Sequence, residues 1–239
     1  ILMKNSGTLY LIPTSLSKRP LVEELKESDL DIVRSLSYFI VETPKIARSY
    51  FKGLGIVIQE LDMRVLDEHT KSNDIPFLIE PLIHGFNVGL MTDAGCPGVG
   101  DPGSLVVREC HRLGIKVVPL VGPSSIILSL MASGLNGQRF RFLGYLPKEP
   151  ESRRKIIKRI ENESIRSNES EIFIEAPYRN KRLFDDLMSV CNANTQLTVA
   201  VDLTGKNEDI RTMEISEWKM SKNINILDIP SIYILLGKK

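Results

Sequence analysis

The sequence predicts an α/β fold in two domains, the N-terminal one on a mostly parallel sheet and the C-terminal one on a mixed sheet. Three observations lead there. Through the first half, short apolar runs alternate with amphipathic stretches of helical period, the pattern of strands joined by crossover helices. After Gly134 the glycine-rich loops give way to basic, polar segments and to closely spaced apolar runs that suit hairpins. The chain has 239 residues, 42% of them hydrophobic, which exceeds one modal domain and is enough to fill two cores. The junction is expected at Leu120 to Pro123, dividing the chain into 1–120 and 121–239.

Taken in order, Thr8-Leu9-Tyr10-Leu11-Ile12 reads as a buried first strand and Pro13 to Ser17 as the turn after it. Leu21 to Lys26 and Ser28 to Leu36 read as helical, and Ser37 to Val41 as a second strand that ends in Glu42-Thr43-Pro44. Thr43 is expected to cap, and Pro44 to open, a helix through Phe51 that Gly53 and Gly55 terminate. Residues 57 to 67 alternate like a strand, Ile75 to His84 like a helix bounded by Gly85, and Val88 to Met91 like another buried strand.

The stretch Gly89 to Pro102, with four glycines and two prolines, then turns tightly several times before a helix marked by Asp101, Pro102 and the apolar residues Leu105, Val106, Val107, Cys110 and Leu113, closed by Gly114. A loop of this kind, at the carboxyl end of a parallel strand, exposes main-chain amides beside a helix N-terminus. That is where open α/β sheets place ligands. Ile115 to Leu120 and Val121-Gly122-Pro123-Ser124-Ser125 repeat the strand, turn, helix arrangement, and Ile126 to Met131 are apolar on most sides, as in a helix buried between layers. Ser124 and Ser125 suit capping, which is compatible with ligand contact.

In the second half, Pro150 to Ile160 reads as an amphipathic helix, Glu163 to Glu171 as a mobile polar loop, and Ile172 to Glu175 as a strand leading to a helix that ends near Cys191. Leu197 to Leu203, Arg211 to Ile215 and Ser231 to Leu236 complete the mixed sheet, with Trp218 as a packing residue.

Composition narrows the function classes. No apolar run approaches the roughly 18 residues of a membrane span, and the first six residues are too short for a signal peptide, so a cytoplasmic protein is expected. Cys96, Cys110 and Cys191 show no Cys-x-x-Cys spacing and read as reduced thiols, and His69, His84 and His111 have no ligand-spaced partner, so no metal site is expected. Gly98 to Gly103 has the Gly-x-Gly-x-x-Gly spacing but does not follow directly on a strand, since Thr92 to Pro97 intervene, which argues against a dinucleotide-binding enzyme. The net charge of +1 is uneven: residues 1 to 120 carry 13 Lys and Arg against 15 Asp and Glu, and residues 135 to 182 carry 12 against 7. The second stretch, with Arg153, Arg154 and Lys155 at its centre and Phe140, Phe142 and Tyr145 nearby, suits either a solvated helix face or a nucleic-acid surface.

Five motifs taken together resemble one family: Asp93-Ala94-Gly95-Cys96-Pro97, Asp101-Pro102-Gly103, Val121-Gly122-Pro123-Ser124-Ser125, Ser133-Gly134-Leu135 and Gly144-Tyr145-Leu146-Pro147. In order and spacing, from Gly7 to about Gly237, they resemble the tetrapyrrole methylase superfamily, the class III S-adenosylmethionine (SAM) methyltransferases. Within it the chain is most similar to the branch that methylates a cytidine ribose 2′-hydroxyl of small-subunit ribosomal RNA, as a divergent paralogue. It departs from that branch at Pro13 to Ser17, which lacks the usual glycine, at Glu42-Thr43-Pro44, where an Asp and an Arg are missing, and at Ala176 and Tyr178, where Ser and His are usual.

The resemblance implies a homodimeric SAM-dependent methyltransferase acting on RNA, with the cofactor between two domains, touching Leu16, Asp93, Gly95, Cys96, Val99, Gly122, Ser124, Ser125, Leu203 and Ser231. Cys96 would line the site as a small residue. Methyl transfer requires mainly positioning. A ribose hydroxyl also needs a proton acceptor, for which Glu42 and Glu175 at strand ends are the candidates, with Arg153, Arg154 and Lys155 as the RNA surface. Two alternatives stay open: methylation of a small, tetrapyrrole-like molecule, and a non-catalytic SAM-binding protein of the same fold.

Overall fold

The computed structural model describes residues 6–221 and 229–238, and the chain divides into two compact units, Ile1–Ser124 and Ser125–Lys239. That division falls a few residues beyond the expected junction and leaves Val121 to Ser124 with the first unit.

The first unit alternates strands and helices: β1 (Thr8–Ile12), α1 (Glu27–Ser35), β2 (Tyr38–Val41), α2 (Pro44–Gly53), β3 (Asp62–Val65), α3 (Ile75–Ile83), β4 (Val88–Met91), α4 (Gly103–Leu113) and β5 (Lys116–Pro119). The five strands form one parallel sheet in the order β3-β2-β4-β1-β5. Leaving β1 and β2, the chain steps toward one edge; leaving β3 and β4, it steps toward the other. Because parallel crossovers are right-handed, this puts the two sets of helices on opposite faces. The packing agrees: Leu30 and Val33 of α1 and Phe51 of α2 share one core with Ile12, Phe39 and Met91, while Leu78 and Leu82 of α3 and Val106 and Cys110 of α4 share another with Leu9, Ile40 and Leu90. Sheet residues are therefore apolar on both faces, which is why these strands read as continuous apolar runs.

Two local expectations shrink here. Leu21 to Lys26 forms just a short 3-10 turn at Leu21–Glu23, and the strand expected over 57 to 67 is a 3-10 turn at Ile58–Glu60 followed by the four residues of β3.

The second unit contains α5 (Ser125–Ser133), β6 (Phe140–Tyr145), α6 (Pro150–Ser167), β7 (Ser170–Glu175), α7 (Asn180–Val190), β8 (Gln196–Val201), β9 (Asp209–Glu214), α8 (Ile215–Met220) and β10 (Ser231–Leu236). Its sheet runs β6-β7-β10-β8-β9, parallel between β6 and β7 and antiparallel elsewhere. Ile157 and Ile160 of α6, Leu183 and Leu187 of α7 and Trp218 of α8 pack with Phe173, Val199 and Tyr233 into its core, and the Trp218 indole N–H donates to the Leu197 carbonyl at 2.8 Å.

Glu163 to Glu171 is not a mobile loop. α6 continues to Ser167, stops at Asn168 in the left-handed region (φ 53°), and β7 begins two residues later. Two of the polar residues that suggested a loop are buried and satisfied: Ser164 donates to the Glu169 carbonyl at 2.6 Å, and the buried Glu171 carboxylate takes two bonds from Arg141, at 2.8 and 3.0 Å. Nor is α5 buried on most sides. It packs on β9 and β10 through Ser129, Leu130 and Ser133, while Ile127 and Met131 are exposed. No helix among the described residues is long and apolar enough to cross a membrane.

Candidate active site

The carboxyl ends of β1, β2 and β4 lie side by side, since Met91 is level with both Ile12 and Val41. Their exits brace one another. Glu42, just past β2, accepts through Oε2 the Thr92 hydroxyl (2.7 Å) and the Asp93 N–H (3.2 Å). Asp93, just past β4, returns the arrangement by accepting the Thr43 N–H (3.1 Å) and the Thr43 hydroxyl (2.7 Å). Thr43 therefore stands at the start of α2 without capping it; its hydroxyl is spent on Asp93. The Tyr50 hydroxyl lies 3.3 Å from the Ser15 carbonyl and 3.4 Å from the Asp93 carbonyl, and the Thr14 hydroxyl donates to the Thr92 carbonyl at 3.1 Å. Burial pushes the Tyr50 phenol above its ordinary pKa, so it remains a neutral donor.

The glycine-rich loop is built on this base. Gly95 exchanges both backbone hydrogen bonds with Thr14, at 2.9 and 3.0 Å, from a left-handed backbone (φ 80°), and a Cβ there would press on Leu16 at 3.3 Å. Gly98 and Gly100 are left-handed as well. Asp101 gathers the far side of the loop, accepting the Gly98 N–H at 2.9 Å and the Gly103 N–H at 2.6 Å; the N-cap position of α4 is Pro102 and not Asp101, which braces the helix entry from one residue further out. Burial raises the Asp101 pKa against the pull of those two amides, and the charge of Glu42 adds to the rise.

The Cys96 thiol donates to the Pro123 carbonyl at 3.3 Å, and burial first, then Asp101, pushes its pKa up, which makes it a lining residue and not an activated nucleophile. Gly122 meets Pro13 so closely that a Cβ would fall 2.4 Å from the proline Cβ. Leu16, Asp93, Gly95, Cys96 and Gly122 are thus joined through one another at the strand ends of the first unit, with Val99 exposed on the loop and Ser124 closing the unit.

Ser125, Leu203 and Ser231 belong to the second unit. Ser125 is the first residue of α5. The Asp202 N–H donates to the Pro230 carbonyl at 3.0 Å, so the exit of β8, with Leu203, adjoins the entry of β10, with Ser231. Ser231 accepts from Asn180 (3.0 Å) and donates to the Ile229 carbonyl (3.0 Å). The β8 exit is strained: Asp202 (φ 48°) and Thr204 (φ 64°) are left-handed without being glycine, held because Asp202 accepts the Asn207 N–H at 2.8 Å and Glu208 the Thr204 N–H at 2.6 Å. No spacing in the sequence signals that conformation.

The acidic and basic candidates of the second unit turn out to hold its frame. Glu175 has a fully buried side chain, with Oε1 accepting the Ala176 N–H at 2.8 Å and Oε2 ion-paired with Arg179 at 2.8 Å, where the contact is a charge pair and not a well-directed hydrogen bond. Arg179 in turn donates to the Leu146 carbonyl at 3.2 Å. Arg153 is not part of any surface. It is 3% exposed, pairs with Asp186 at 2.6 Å and donates to the Lys148 carbonyl at 2.9 Å; the inward side of α6 takes it because Asp186 on α7 supplies the counter-charge. Arg154 and Lys155 are exposed.

No family model matches the chain. A crystal structure of the methyltransferase CobJ superposes with a TM-score of 0.63 over 98% of this chain and 95% of that one, at 14% identity, and shows the fold. That likeness carries the fold alone; the class, a methyltransferase, comes from the curated sequence relatives. Among curated sequences, ribosomal RNA small subunit methyltransferase I of Xylella fastidiosa is 31% identical over 202 residues (84% of this chain, 70% of the relative). Those of Vibrio cholerae (87% and 69%) and Halalkalibacterium halodurans (86% and 67%) are each 29% identical over 209 residues. The chain belongs to the ribosomal RNA small subunit methyltransferase I family.

Proposed function

We propose that this enzyme transfers a methyl group from SAM to a ribose 2′-hydroxyl of small-subunit ribosomal RNA, working as a cytoplasmic homodimer. The observation that carries the reading is the reciprocal bracing of the β2 and β4 exits by Glu42 and Asp93 around the Gly95–Gly100 loop, in a chain whose relatives are named as small-subunit ribosomal RNA methyltransferases. The residues fit a SAM-like donor. Gly95 and Gly122 let the backbone pack closely at the strand ends, and Leu16, Cys96 and Val99 supply apolar side chains beside it. In this reading Leu16, Asp93, Gly95, Cys96, Val99, Gly122 and Ser124 hold the donor.

SAM, when bound, supplies a methyl group already activated on a sulfonium, so the protein has little bond chemistry of its own to perform. What remains is orientation and the fate of one proton. Glu42 spends Oε2 on Thr92 and Asp93, while Oε1 accepts no hydrogen bond among the described residues. A carboxylate fixed through one oxygen and open at the other is suited to orient a hydroxyl and take its proton as the new C–O bond forms. Glu175, buried against Arg179, is assigned to holding the turn at Pro177–Arg179 and not to proton transfer.

The test is label transfer from radioactive SAM to small-subunit RNA from a strain lacking the protein, run beside a metabolite extract. Label in RNA at a ribose is expected, with Glu42→Gln losing turnover while keeping SAM affinity by calorimetry. Label in the metabolite pool alone would overturn the RNA substrate, SAM binding without labelling of either pool would overturn catalysis, and sedimentation as a monomer would overturn the dimer.

A further inference from the structure

The second unit exposes two tyrosines at the same end of its sheet. Tyr145 closes β6 with 59% of its surface exposed, and Tyr178, in the turn after β7, has 74% exposed. β6 and β7 are parallel neighbours with Tyr145 level with Ile174, so both aromatic rings sit at the carboxyl ends of adjacent strands. The backbone that carries them is fixed from below. The Arg179 guanidinium bonds to the Leu146 carbonyl, tying the turn of Tyr178 to the residue after Tyr145, and it is itself locked to buried Glu175. Arg153, buried against Asp186, holds the next stretch by its bond to the Lys148 carbonyl.

The charge beside them has a sign. Lys148, Arg154 and Lys155 are exposed on the loop and first turns of α6 that follow Tyr145. Of the acidic residues nearby, Glu149 is occupied in capping α6, accepting the Ser152 N–H at 2.8 Å; Asp186 is paired with Arg153 and, at 3.7 Å, with Arg154, whose side chain is still half exposed; and Asp185 is paired with Lys181 at 2.8 Å, which leaves Glu151 in the first turn. Phe140, by contrast, lies at the other end of β6 and is no part of this group.

We infer that Tyr145 and Tyr178 form a stacking platform for unpaired bases of the RNA substrate, with Lys148, Arg154 and Lys155 contacting the adjoining phosphates. Single-stranded RNA suits this arrangement because every base has a face to stack, and a stacked strand keeps its phosphates on the outside, within reach of long cationic side chains. The inference rests on the reading of RNA as substrate, and its test separates the two. The probe is a fluorescein-labelled single-stranded RNA oligonucleotide, titrated by anisotropy. Tyr145→Ala and Tyr178→Ala should each weaken binding about tenfold, at the low end of what one base–aromatic stack contributes. Tyr178→Phe should restore affinity, since the ring and not the hydroxyl acts.

A 2-aminopurine base in the oligonucleotide should be quenched by the wild type and not by the Ala variants, and SAM affinity should stay unchanged in all. A wild type that labels RNA and binds the oligonucleotide no better than the two Ala variants would overturn the platform while leaving the methylation reading in place. A wild type that neither binds nor labels RNA would overturn both.

Discussion

The close approach of Gly122 to Pro13 gives a sharp stability test. A Cβ at Gly122 would lie 2.4 Å from Pro13 Cβ, 2.8 Å from Pro13 Cγ and 3.3 Å from Leu25 Cδ2. Carbon atoms rest at about 3.5–4.0 Å, so the two segments must part by about 1 Å. Pro13 is buried and its ring has no rotamer to escape into. Overpacking of this kind costs about 1–3 kcal/mol, and a rigid neighbour puts Gly122→Ala near about 2 kcal/mol, roughly thirtyfold in the folded-to-unfolded ratio. Gly137 is the control, because a Cβ there meets nothing within 4 Å. Urea unfolding followed by circular dichroism should show a clear drop in midpoint for Gly122→Ala and one within about 0.5 kcal/mol of wild type for Gly137→Ala. Calorimetry should show Gly122→Ala with weakened SAM binding, since Pro123, next in the chain, carries the carbonyl that receives the Cys96 thiol. Equal midpoints for the two variants would refute the close-approach argument.

Further outcomes follow from the buried charges and thiols. Arg153→Ala should cost about 3 kcal/mol in urea unfolding, the low end for a broken buried pair, because it leaves Asp186 with just the longer 3.7 Å pair to Arg154, whereas Lys155→Glu, two residues on but exposed, should leave stability within about 0.5 kcal/mol and flatten the salt dependence of RNA binding. Burial holds the Cys110 and Cys191 thiols up to about 12, so iodoacetamide should modify neither in the native protein near neutral pH and both after unfolding; rapid native labelling would contradict their burial. Asp101 titrates higher folded than unfolded, so its contribution to stability is full below the ordinary carboxylate pKa and is lost as pH rises through the folded value. Asp101→Asn should therefore gain on the wild type as pH rises from about 4 to 7, and a constant difference would argue against a buried carboxylate there.

Much of the fold was legible because its strands are buried on both faces. Thr8–Ile12, Val88–Met91 and Ser231–Leu236 have the bounds their apolar runs suggest, since turn residues flank each of them. The site loop was legible for the same reason, its glycines marking where the backbone reverses. What the sequence hid was polar burial. Arg153 and Glu171 look like surface residues until Asp186 and Arg141, distant in the chain, arrive as partners, and a pattern of hydrophobicity cannot register a charge whose neutraliser lies about 30 residues away. Tyr50 was missed among the site residues because nothing but the fold brings the middle of α2 under the β1 and β4 exits.

The strand order of the first unit also dictates when it can form. β1 and β2, though consecutive strands in the chain, are not neighbours: β4 lies between them and is hydrogen-bonded to both. Until Val88–Met91 has been synthesised, β1 has no partner strand and β2 can pair with the edge strand β3 alone, so the centre of the sheet waits unformed. Closing such long loops is entropically slow, and exposed strand edges of this kind recruit other chains. A nascent chain arrested before β4 should thus be sensitive to proteases and dependent on chaperones along its whole length, and compact resistance should emerge abruptly, as one event, once the fourth strand clears the exit tunnel.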